Sequence, residues 1–407
     1  MPNRNPNLAR LKAGYLFPEI ARRKREFEAS RAGGGTPASR IISLGVGNTT
    51  EPILPHICAA LEEGARALGR TETYSGYMDE GLEELRRRIS SVYYGGRFGP
   101  DEIFISDGSK CDIGRLQVLF GSEARVCVQD PSYPVYVDGS VLSGAAAGRQ
   151  ETGGGYGGIR YLPCTAANGY FPDLSAIEEG SVIYFCSPNN PTGAAASAEQ
   201  LNALVRQARA TRSFIVYDAA YADYIRDPGL PRSIYEADGA AECAIEVNSF
   251  SKSAGFTGVR LGWTAVPHKM AYTDGGSVNA DWARIMATVF NGASNIAQAG
   301  GLAALDGEGQ KEIRALTDFY LGNAALILEV LRKKGIPCMG GGNSPYIWAN
   351  FAPEKSWDAF SRILERCHVV TTPGAGFGPA GECFIRFSAF GHRADVEEAC
   401  GRLGRLL

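Results

Sequence analysis

The sequence has few of the residues from which metal sites and disulfide frameworks are built. It contains four histidines, and its ten cysteines are scattered without a Cys-x-x-Cys pair. Zinc sites and small disulfide-rich proteins both concentrate such residues at short spacings. We therefore predict free thiols in a reducing compartment and no metal site.

The chain also lacks a strong net charge and a long apolar run. Its formal charge is −3, which argues against nucleic acid or an anionic membrane as a partner. No apolar stretch approaches the roughly 20 residues of a membrane span, and residues 1–7 are polar, unlike a secretory signal. An organelle-targeting segment removed from a precursor would leave no mark in this sequence. With 407 residues, 44% of them apolar, the chain can bury a large core.

The most informative stretch that is present surrounds Lys252. Two hydroxyl residues, Ser249 and Ser251, precede this lysine, and Arg260 follows it among several glycines. A lysine amine can form a Schiff base with an aldehyde, while hydroxyls and a guanidinium supply donors and charge for a phosphate dianion. The pattern indicates a covalently held phosphate cofactor, and pyridoxal phosphate is the one that we expect.

A second stretch, residues 213–218, is an apolar run that ends abruptly at Asp218. It predicts a buried strand with the carboxylate at its C-terminal end. A pyridine ring withdraws electrons best when its nitrogen is protonated, and a buried aspartate beside it favours that cation. Tyr221 follows closely enough to bond the phenolic oxygen of the ring. The alternative is that Asp218 only caps the next helix.

A third stretch, Ser187–Gly193, follows the apolar run Val182–Cys186. Its prolines and glycine predict a rigid turn, which would hold the Asn190 amide where it can bond a ring oxygen. Taken alone, the motif could equally be a turn without a ligand. Its position between two strands of one sheet favours the binding interpretation.

Apolar runs alternate with helical patterns between residues 100 and 290. This alternation predicts an α/β domain with a mostly parallel sheet, in which ligands bind beyond the carboxyl ends of the strands. The predicted strands are 103–106, 124–128, 182–186, 213–218, 243–249 and one near 266, with helices near 112–120, 132–143 and 197–210. The candidate ligand residues at these strand ends are Ser109, Lys110, Tyr133, Asn190, Asp218 and Lys252.

After residue 291 the pattern changes to a helical stretch near 309–334, strands near 346–351 and 383–387, and a helix from 394. This order predicts a smaller α+β domain that the N-terminal arm completes. We place the large domain at 48–290 and the smaller one at 1–47 plus 291–407. The glycine-rich run 31–37 is interpreted as a surface connection. Residues 153–158 match G-x-G-x-x-G but lead into an extended segment, which favours a loop over a dinucleotide site.

Longer motifs carry a resemblance to a known family. They are residues 5–20, 42–50, 74–77, 106–112, 129–134, 187–193, 249–252, 290–294, 371–374 and 384–388. On these motifs, which span nearly the whole chain, the sequence resembles the fold type I pyridoxal-phosphate-dependent aminotransferases, and within them the LL-diaminopimelate aminotransferases. The resemblance implies a mostly parallel seven-stranded sheet sandwiched by helices, together with a smaller α+β domain.

The resemblance implies a role for each residue around the cofactor. Lys252 would hold the aldehyde and then act as the base that moves the substrate Cα proton, with Asp218 and Tyr221 as its catalytic companions. Tyr133 would stack on the pyridine face, although a plain turn tyrosine is the alternative. The residues implied at the phosphate are Ser109, Lys110, Ser249, Ser251, Arg260 and, from a neighbouring subunit, Tyr77.

The resemblance also implies the substrate contacts. Arg386 would bind the α-carboxylate with two hydrogen bonds, unless it is an exposed residue on an edge strand. Glu80 would neutralise the distal ammonium group, but the segment Met78–Gly81 looks one residue short, so Asp79 is a rival. The other residues implied around the substrate are Tyr15, Gly45, Tyr77, Lys110, Tyr133, Asn190 and Asn291.

We therefore expect a homodimeric transaminase that interconverts LL-2,6-diaminopimelate and 2-oxoglutarate with tetrahydrodipicolinate and glutamate. The nearest alternative is another class I aminotransferase that acts on aromatic or acidic amino acids. A non-catalytic regulator that binds pyridoxal phosphate is a more distant alternative. A plant or algal enzyme would work in the plastid stroma, and a bacterial one in the cytoplasm.

Overall fold

The structure is a computed structural model that describes residues 1–11, 16–31, 40–146 and 155–407. Tyr15, most of the run 31–37 and the first two glycines of 153–158 lie outside the described residues. The helices are α1 (Asn7–Arg10), α2 (Leu16–Arg31), α3 (Pro55–Ala67), α4 (Glu83–Tyr94), α5 (Ser109–Phe120), α6 (Pro134–Ser143), α7 (Ala198–Ala210), α8 (Phe250–Ser253), α9 (Val278–Val289), α10 (Asn295–Ala304), α11 (Gly307–Lys333), α12 (Ser356–Cys367) and α13 (Arg393–Leu406).

The strands carry most of the positions that matter for the site. They are β1 (Ile42–Ser43), β2 (Ile103–Ser106), β3 (Arg125–Asp130), β4 (Ile159–Pro163), β5 (Ser181–Cys186), β6 (Phe214–Asp218), β7 (Ala244–Ser249), β8 (Gly262–Ala265), β9 (Cys338–Gly340), β10 (Tyr346–Asn350), β11 (Val369–Val370), β12 (Thr372–Pro373) and β13 (Phe384–Ser388). Short 3-10 turns lie at Pro100–Glu102, Ala166–Asn168, Leu174–Ala176, Ala222–Tyr224, Ile234–Glu236, Ala240–Glu242, Gly374–Phe377 and Pro379–Gly381.

A seven-stranded sheet in the order β2-β8-β7-β6-β5-β3-β4 forms the centre of the protein. Every neighbouring pair is parallel except those of β8, which runs antiparallel to both β2 and β7. The predicted mostly parallel α/β sheet is therefore confirmed. Its strands are apolar on both faces because helices cover both: Ile183 and Phe185 of β5 lie in one core cluster, and Val182 and Tyr184 lie in another.

A second, smaller group of strands follows the central sheet. β12, β13, β10 and β9 form an antiparallel sheet in that order, and β1 pairs in parallel with β11. A third core cluster joins Leu16, Ile20 and Ile42 from the N-terminal segment to Trp348 and Phe387. The division at residues 47/48 and 290/291 stays a prediction.

Helix starts follow from local capping chemistry. Ser197 caps α7 by accepting a hydrogen bond from the backbone of Gln200 at 3.2 Å, and Asp306 caps α11 in the same way. The helix predicted from residue 112 begins earlier, at Ser109, because Gly108 takes a φ of 120° and turns the chain into the helix. In the described parts of the chain, none of the helices combines the length and apolarity that crossing a membrane requires.

Candidate active site

The carboxyl ends of the parallel strands open into one cavity of about 340 Å³. This volume falls within the range of small-molecule sites. β5, β6 and β7 end at its floor, and α5 and α6 begin at its rim. The predicted residues that line this Lys252 cavity are Ser109, Lys110, Tyr133, Asn190, Asp218, Tyr221, Ser249, Ser251, Lys252, Arg260 and Arg386.

Lys252 lies on α8, a single helical turn that Ser249 caps directly after β7. The side chain is half-buried, and its ammonium nitrogen donates a hydrogen bond to the carbonyl oxygen of Gly47. Burial lowers the pKa of Lys252 to about 7, with smaller contributions from the positive charges of Arg260 and Arg386. Near neutral pH a large fraction of this amine is therefore uncharged, and an uncharged amine is nucleophilic.

Asp218 ends β6 as a fully enclosed carboxylate. Oδ2 accepts a hydrogen bond from the hydroxyl of Tyr136 at 2.7 Å, and Oδ1 accepts one from the backbone of Ala220 at 3.1 Å. Burial raises the pKa of Asp218, and these two hydrogen bonds oppose that rise. Among the described residues no lysine or arginine pairs with this carboxylate. The cavity consequently offers a buried acid that a cationic ring nitrogen can satisfy.

The end of the cavity near the start of α5 offers hydrogen-bond donors for an anion. Ser109 and Lys110 form the first turn of α5, where backbone N–H groups lack partners within the helix. Arg260 donates to the hydroxyl of Ser251 at 3.2 Å, and that hydroxyl lies 2.9 Å from the hydroxyl of Ser249. The positive end of the helix, the two hydroxyls and the guanidinium can together surround a phosphate.

Close packing at this end leaves no space for a side chain at position 108. A Cβ there would lie 2.6 Å from a guanidinium nitrogen of Arg260, in addition to the strain of a positive φ. Gly108 thus allows the guanidinium to approach the start of α5.

Arg386 lies on β13, an interior strand between β12 and β10, and is 1% exposed. Its Nη1 donates to Asn190 Oδ1 at 2.6 Å, and its Nη2 donates to the carbonyl oxygen of Gly45 at 2.7 Å. Nε has no hydrogen-bond partner among the described residues. The alternative of an exposed edge arginine is wrong, and the guanidinium lines the cavity, where it can bind a carboxylate.

Two tyrosines complete the enclosed part of the cavity. Tyr133 immediately precedes α6, and its ring centroid lies 5.8 Å from that of Tyr136 in a T-shaped arrangement. The hydroxyl oxygen of Tyr221 lies 2.8 Å from that of Tyr346. Both predicted tyrosines line the same cavity as Lys252 and Asp218.

The remaining predicted residues lie elsewhere in the chain. Tyr77, Glu80 and Asn291 line a second concavity of about 570 Å³ together with Met78, Asp79, Gly81 and Arg86. Among the described residues, the lining of the Lys252 cavity includes none of these, and Tyr77 is 86% exposed. Glu80 accepts a hydrogen bond from Arg86 at 2.8 Å, so its charge is already paired, whereas the rival Asp79 is exposed.

Gly45 is buried and does not line the Lys252 cavity. Its carbonyl oxygen accepts hydrogen bonds from Arg386 and from the hydroxyl of Thr372, at 2.7 and 2.6 Å. Its contribution within the chain is therefore to hold Arg386.

Comparison with known proteins identifies the family. The model of the family described as "Aminotransferase class I and II" matches residues 39–403. The chain belongs to this family. Within it, a curated relative from Arabidopsis thaliana, "LL-diaminopimelate aminotransferase, chloroplastic", is 52% identical over 99% of this chain and 87% of its own length. "LL-diaminopimelate aminotransferase" of Protochlamydia amoebophila (strain UWE25) is 49% identical over 100% of this chain and 98% of its own length.

A solved structure extends the comparison to three dimensions. "L,L-Diaminopimelate aminotransferase from Chlamydomonas reinhardtii" superposes with a TM-score of 0.94 at 52% identity, covering 99% of this chain and 98% of that one. The resemblance to fold type I aminotransferases seen in the sequence motifs is thereby confirmed over the full chain.

Several cavity residues of this aminotransferase escaped the sequence reasoning. Tyr136 had a partial signal, since it lies in the first turn of the helix that directly follows Tyr133. Tyr346 had none, because its contacts with Tyr221 and Arg386 join distant parts of the chain. The other unpredicted lining residues are Phe17, Val46, Gly47, Asn48, Cys186, Ala220 and Thr257.

Proposed function

We propose that this chain is a pyridoxal-phosphate-dependent transaminase that interconverts LL-2,6-diaminopimelate and 2-oxoglutarate with tetrahydrodipicolinate and L-glutamate in lysine biosynthesis. One observation carries the proposal. A single cavity brings together the Lys252 amine with a pKa of about 7, the Arg386 guanidinium, and the buried Asp218 carboxylate, which has no cationic partner among the described residues. The substrate assignment is supported by the 49–52% identity to diaminopimelate aminotransferases.

The donor set in the cavity suits pyridoxal phosphate, the cofactor of class I and II aminotransferases. An aldehyde needs an uncharged amine, which Lys252 provides, and a pyridinium nitrogen needs a buried acid, which Asp218 provides. A phosphate needs several donors at once, and the start of α5 with Ser251 and Arg260 provides them. When bound, the cofactor supplies an aldehyde that condenses with amines and a ring that accepts the electron pair of the Cα–H bond.

The chain's own residues would divide the remaining work. Arg386 would bind the α-carboxylate through two guanidinium N–H groups, which would fix the plane of the carboxylate and the direction of the Cα–H bond. Lys252 would act as the base that takes the proton from Cα and returns it at the C4′ carbon. Asp218 would keep a proton on the ring nitrogen. Asn190 and Tyr221 would donate to the phenolic oxygen, and Tyr133 would exclude water from the ring face.

We further propose that two copies of the chain form each site. The second concavity carries Tyr77, Glu80 and Asn291, the residues implied at the phosphate and the distal end of the substrate, but it opens outward from its own chain. A neighbouring copy related by a two-fold axis can present this surface to the Lys252 cavity. The compartment would be the plastid stroma in a photosynthetic eukaryote, as the name of the Arabidopsis relative suggests, or the cytoplasm in a bacterium.

A direct assay tests the reaction. The purified chain is loaded with pyridoxal phosphate and supplied with 2-oxoglutarate and one of LL-diaminopimelate, its meso isomer, aspartate or phenylalanine, and glutamate is measured. We expect turnover with the LL isomer to exceed the others by at least about tenfold. Borohydride reduction followed by peptide mapping should place the cofactor on Lys252. Equal or better turnover of aspartate or phenylalanine would refute the substrate, and a colourless chain would refute the cofactor.

A further inference from the structure

Tyr346, the first residue of β10, connects two parts of the cavity to which separate roles are proposed. Its side chain is 1% exposed, and its ring centroid lies 4.3 Å from the guanidinium carbon of Arg386. Its hydroxyl oxygen lies 2.8 Å from that of Tyr221. One aromatic ring therefore contacts both the arginine at the carboxylate position and the tyrosine at the cofactor position.

A ligand in the cavity would give the hydrogen bond between the two tyrosines a direction. Within the described residues each hydroxyl has the other as its hydrogen-bond partner, and either can donate. Burial raises the pKa of both tyrosines, so both stay protonated. When Tyr221, which lines the cavity, directs its proton to a bound cofactor, its oxygen is left to accept, and Tyr346 must then donate.

Neighbouring groups hold the Tyr346 ring in place. A Cβ at Gly47 would lie 2.4 Å from the Tyr346 hydroxyl oxygen, so the backbone that accepts the Lys252 hydrogen bond packs directly against it. The ring of Phe377 lies 4.8 Å from the same guanidinium carbon. Two aromatic faces thus contact the guanidinium, and each attracts a cation.

We propose that Tyr346 is a positioning residue: its hydroxyl turns the Tyr221 proton toward the bound cofactor, and its ring keeps Arg386 oriented for a carboxylate. The inference rests on the transaminase function proposed above, because Tyr221 and Arg386 take their roles from it. The two parts are separable, since Phe retains the ring and loses the hydroxyl, whereas Leu loses both.

A double-mutant cycle tests the hydroxyl. Absorption of the bound cofactor is titrated with pH in wild type, Tyr346→Phe, Tyr221→Phe and the double variant. A hydrogen bond to the phenolic oxygen spreads its negative charge and weakens its hold on a neighbouring proton, so Tyr346→Phe should raise the midpoint by about half a unit or more and lower kcat about 2- to 10-fold. In the Tyr221→Phe background the same change should have no further effect. Additive shifts, or no shift in Tyr346→Phe, would overturn the inference.

An unreactive dicarboxylate inhibitor tests whether the Tyr346 ring orients Arg386. The inhibition constant of glutarate, an analogue of 2-oxoglutarate, is measured for Tyr346→Phe and Tyr346→Leu. We expect the Phe variant to stay within about twofold of wild type and the Leu variant to bind roughly 3- to 30-fold more weakly. Equal inhibition constants in the two variants would refute the role of the ring.

Tyr320→Phe is the matched control for a buried tyrosine. The Tyr320 hydroxyl accepts hydrogen bonds from the backbone of Thr50 and Glu51 at 2.8 Å and does not line the Lys252 cavity. Its removal should lower stability without moving the absorption midpoint; an equal shift would indicate a general packing effect and refute the inference. If Tyr346→Phe does not fold, Gly47→Ala replaces it, since the added methyl displaces the Tyr346 hydroxyl and should shift the midpoint in the same direction.

The two proposals fail in different ways. A wild-type chain that stays colourless with pyridoxal phosphate refutes the proposed function and the inference with it. A coloured and active wild type whose variants behave independently of Tyr221 refutes the inference alone.

Discussion

The Lys252 cavity and the second concavity differ in how much of each one chain completes. In the cavity, Asp218, Arg386 and Asn190 are all buried and hydrogen-bonded by side chains or backbone of the same chain. In the second concavity, Tyr77 is exposed, and among the described residues Glu80 forms an ion pair only with Arg86 of α4. The first region is organised before any ligand or neighbour arrives, and the second is not.

The difference follows from the elements that carry each region. Cavity residues lie at the ends of hydrogen-bonded strands and at the first turns of helices, so the sheet fixes their positions. The second concavity is built from the loop before α4 and the corner after α9, where Asn291 takes a φ of 71°. Loops of this kind commonly supply specificity to a rigid scaffold.

The largest effect is expected when one variant disrupts the Lys252 cavity, another disrupts the second concavity, and the two variants are mixed. Lys252→Ala should lower kcat by roughly 10³-fold or more, because the anchor and the base are lost together. Glu80→Ala combined with Asn291→Ala damages only the second concavity. If sites are shared, mixing the two variants gives heterodimers with one intact site and up to about a quarter of wild-type activity. Glutamate formation after mixing that equals the sum of the separate variants would mean that sites are not shared.

Asp218 on β6 and Glu246 on β7 are both buried acids, and comparing their variants distinguishes a catalytic role from a packing role. Asp218→Asn should lower kcat about 10²-fold or more, because the ring nitrogen loses its charged partner. Glu246 on β7 is the control, since it is bound by Tyr94 and Ser233 away from the cavity. Glu246→Gln should leave kcat within about threefold of wild type. Comparable losses in the two variants, measured by the glutamate assay, would contradict the role of Asp218.

Glu246 also predicts a pH effect on stability. Burial raises its pKa to about 7, so the folded protein holds a proton that the unfolded chain has released. The contribution of Glu246 is therefore greatest below the unfolded pKa and is lost as the pH rises through about 5 to 7. Urea unfolding at both ends of this window should show that Glu246→Gln flattens the slope. An unchanged slope would mean that Glu246 titrates normally.

The carboxylate position is tested by a conservative change. Arg386→Lys retains the charge but loses the forked donors, so the KM for 2-oxoglutarate should rise about 10- to 100-fold while kcat changes less. Arg402→Lys is the matched control, because Arg402 is also buried but donates to the carbonyl oxygen of Arg40. A larger effect on kcat than on KM in Arg386→Lys would place this arginine in the chemical step instead.

The lowered pKa of Lys252 predicts a smaller effect, on the pH dependence of cofactor binding. Cofactor capture by the free chain needs the uncharged amine, so its rate should rise about tenfold between pH 6 and pH 8 and then level off. An ordinary lysine would instead give a rate that continues to rise toward pH 10. Stopped-flow absorbance over this range distinguishes the two profiles.

The smallest effect on activity is expected in the second concavity. Glu80 is partly exposed and already paired with Arg86, so Glu80→Gln should lower kcat/KM for LL-diaminopimelate only about 3- to 10-fold. The value for glutamate, which lacks the distal ammonium, should not change. Glu84→Gln, an exposed acid in the first turn of α4, is the control. A loss for both amino acids would show that Glu80 does not recognise the distal group.

Sequence reasoning was most accurate where short-range patterns decide the structure. The run 182–186 was predicted as a strand because it is apolar and ends at a proline turn, and β5 spans Ser181–Cys186. Once strands and helices alternate, Asn190, Asp218 and Lys252 must lie at one edge, and they do. The roles of these residues in catalysis stay predictions.

Contacts that depend on long-range packing could not be predicted in the same way. The direction of β8 was not specified, although the short connection after β7 leaves no room for a crossover helix and favours an antiparallel neighbour. Between Asp218 and Lys252 the chain forms three 3-10 turns, which the pattern of apolar runs did not predict. The pairing of Tyr346 with Tyr221 requires the small sheet to dock against the large one, which no local motif encodes.

The antiparallel pairing of β7 with β8 joins Ser249 to Gly262 and closes the segment 250–261 into a short loop. Lys252 and Arg260 therefore lie on one loop whose two ends are fixed to the same sheet. Lengthening that loop by even a few residues would move the amine that binds the aldehyde away from the guanidinium that binds the phosphate. We expect library selections to reject insertions there while accepting them in an exposed turn such as residues 273–276.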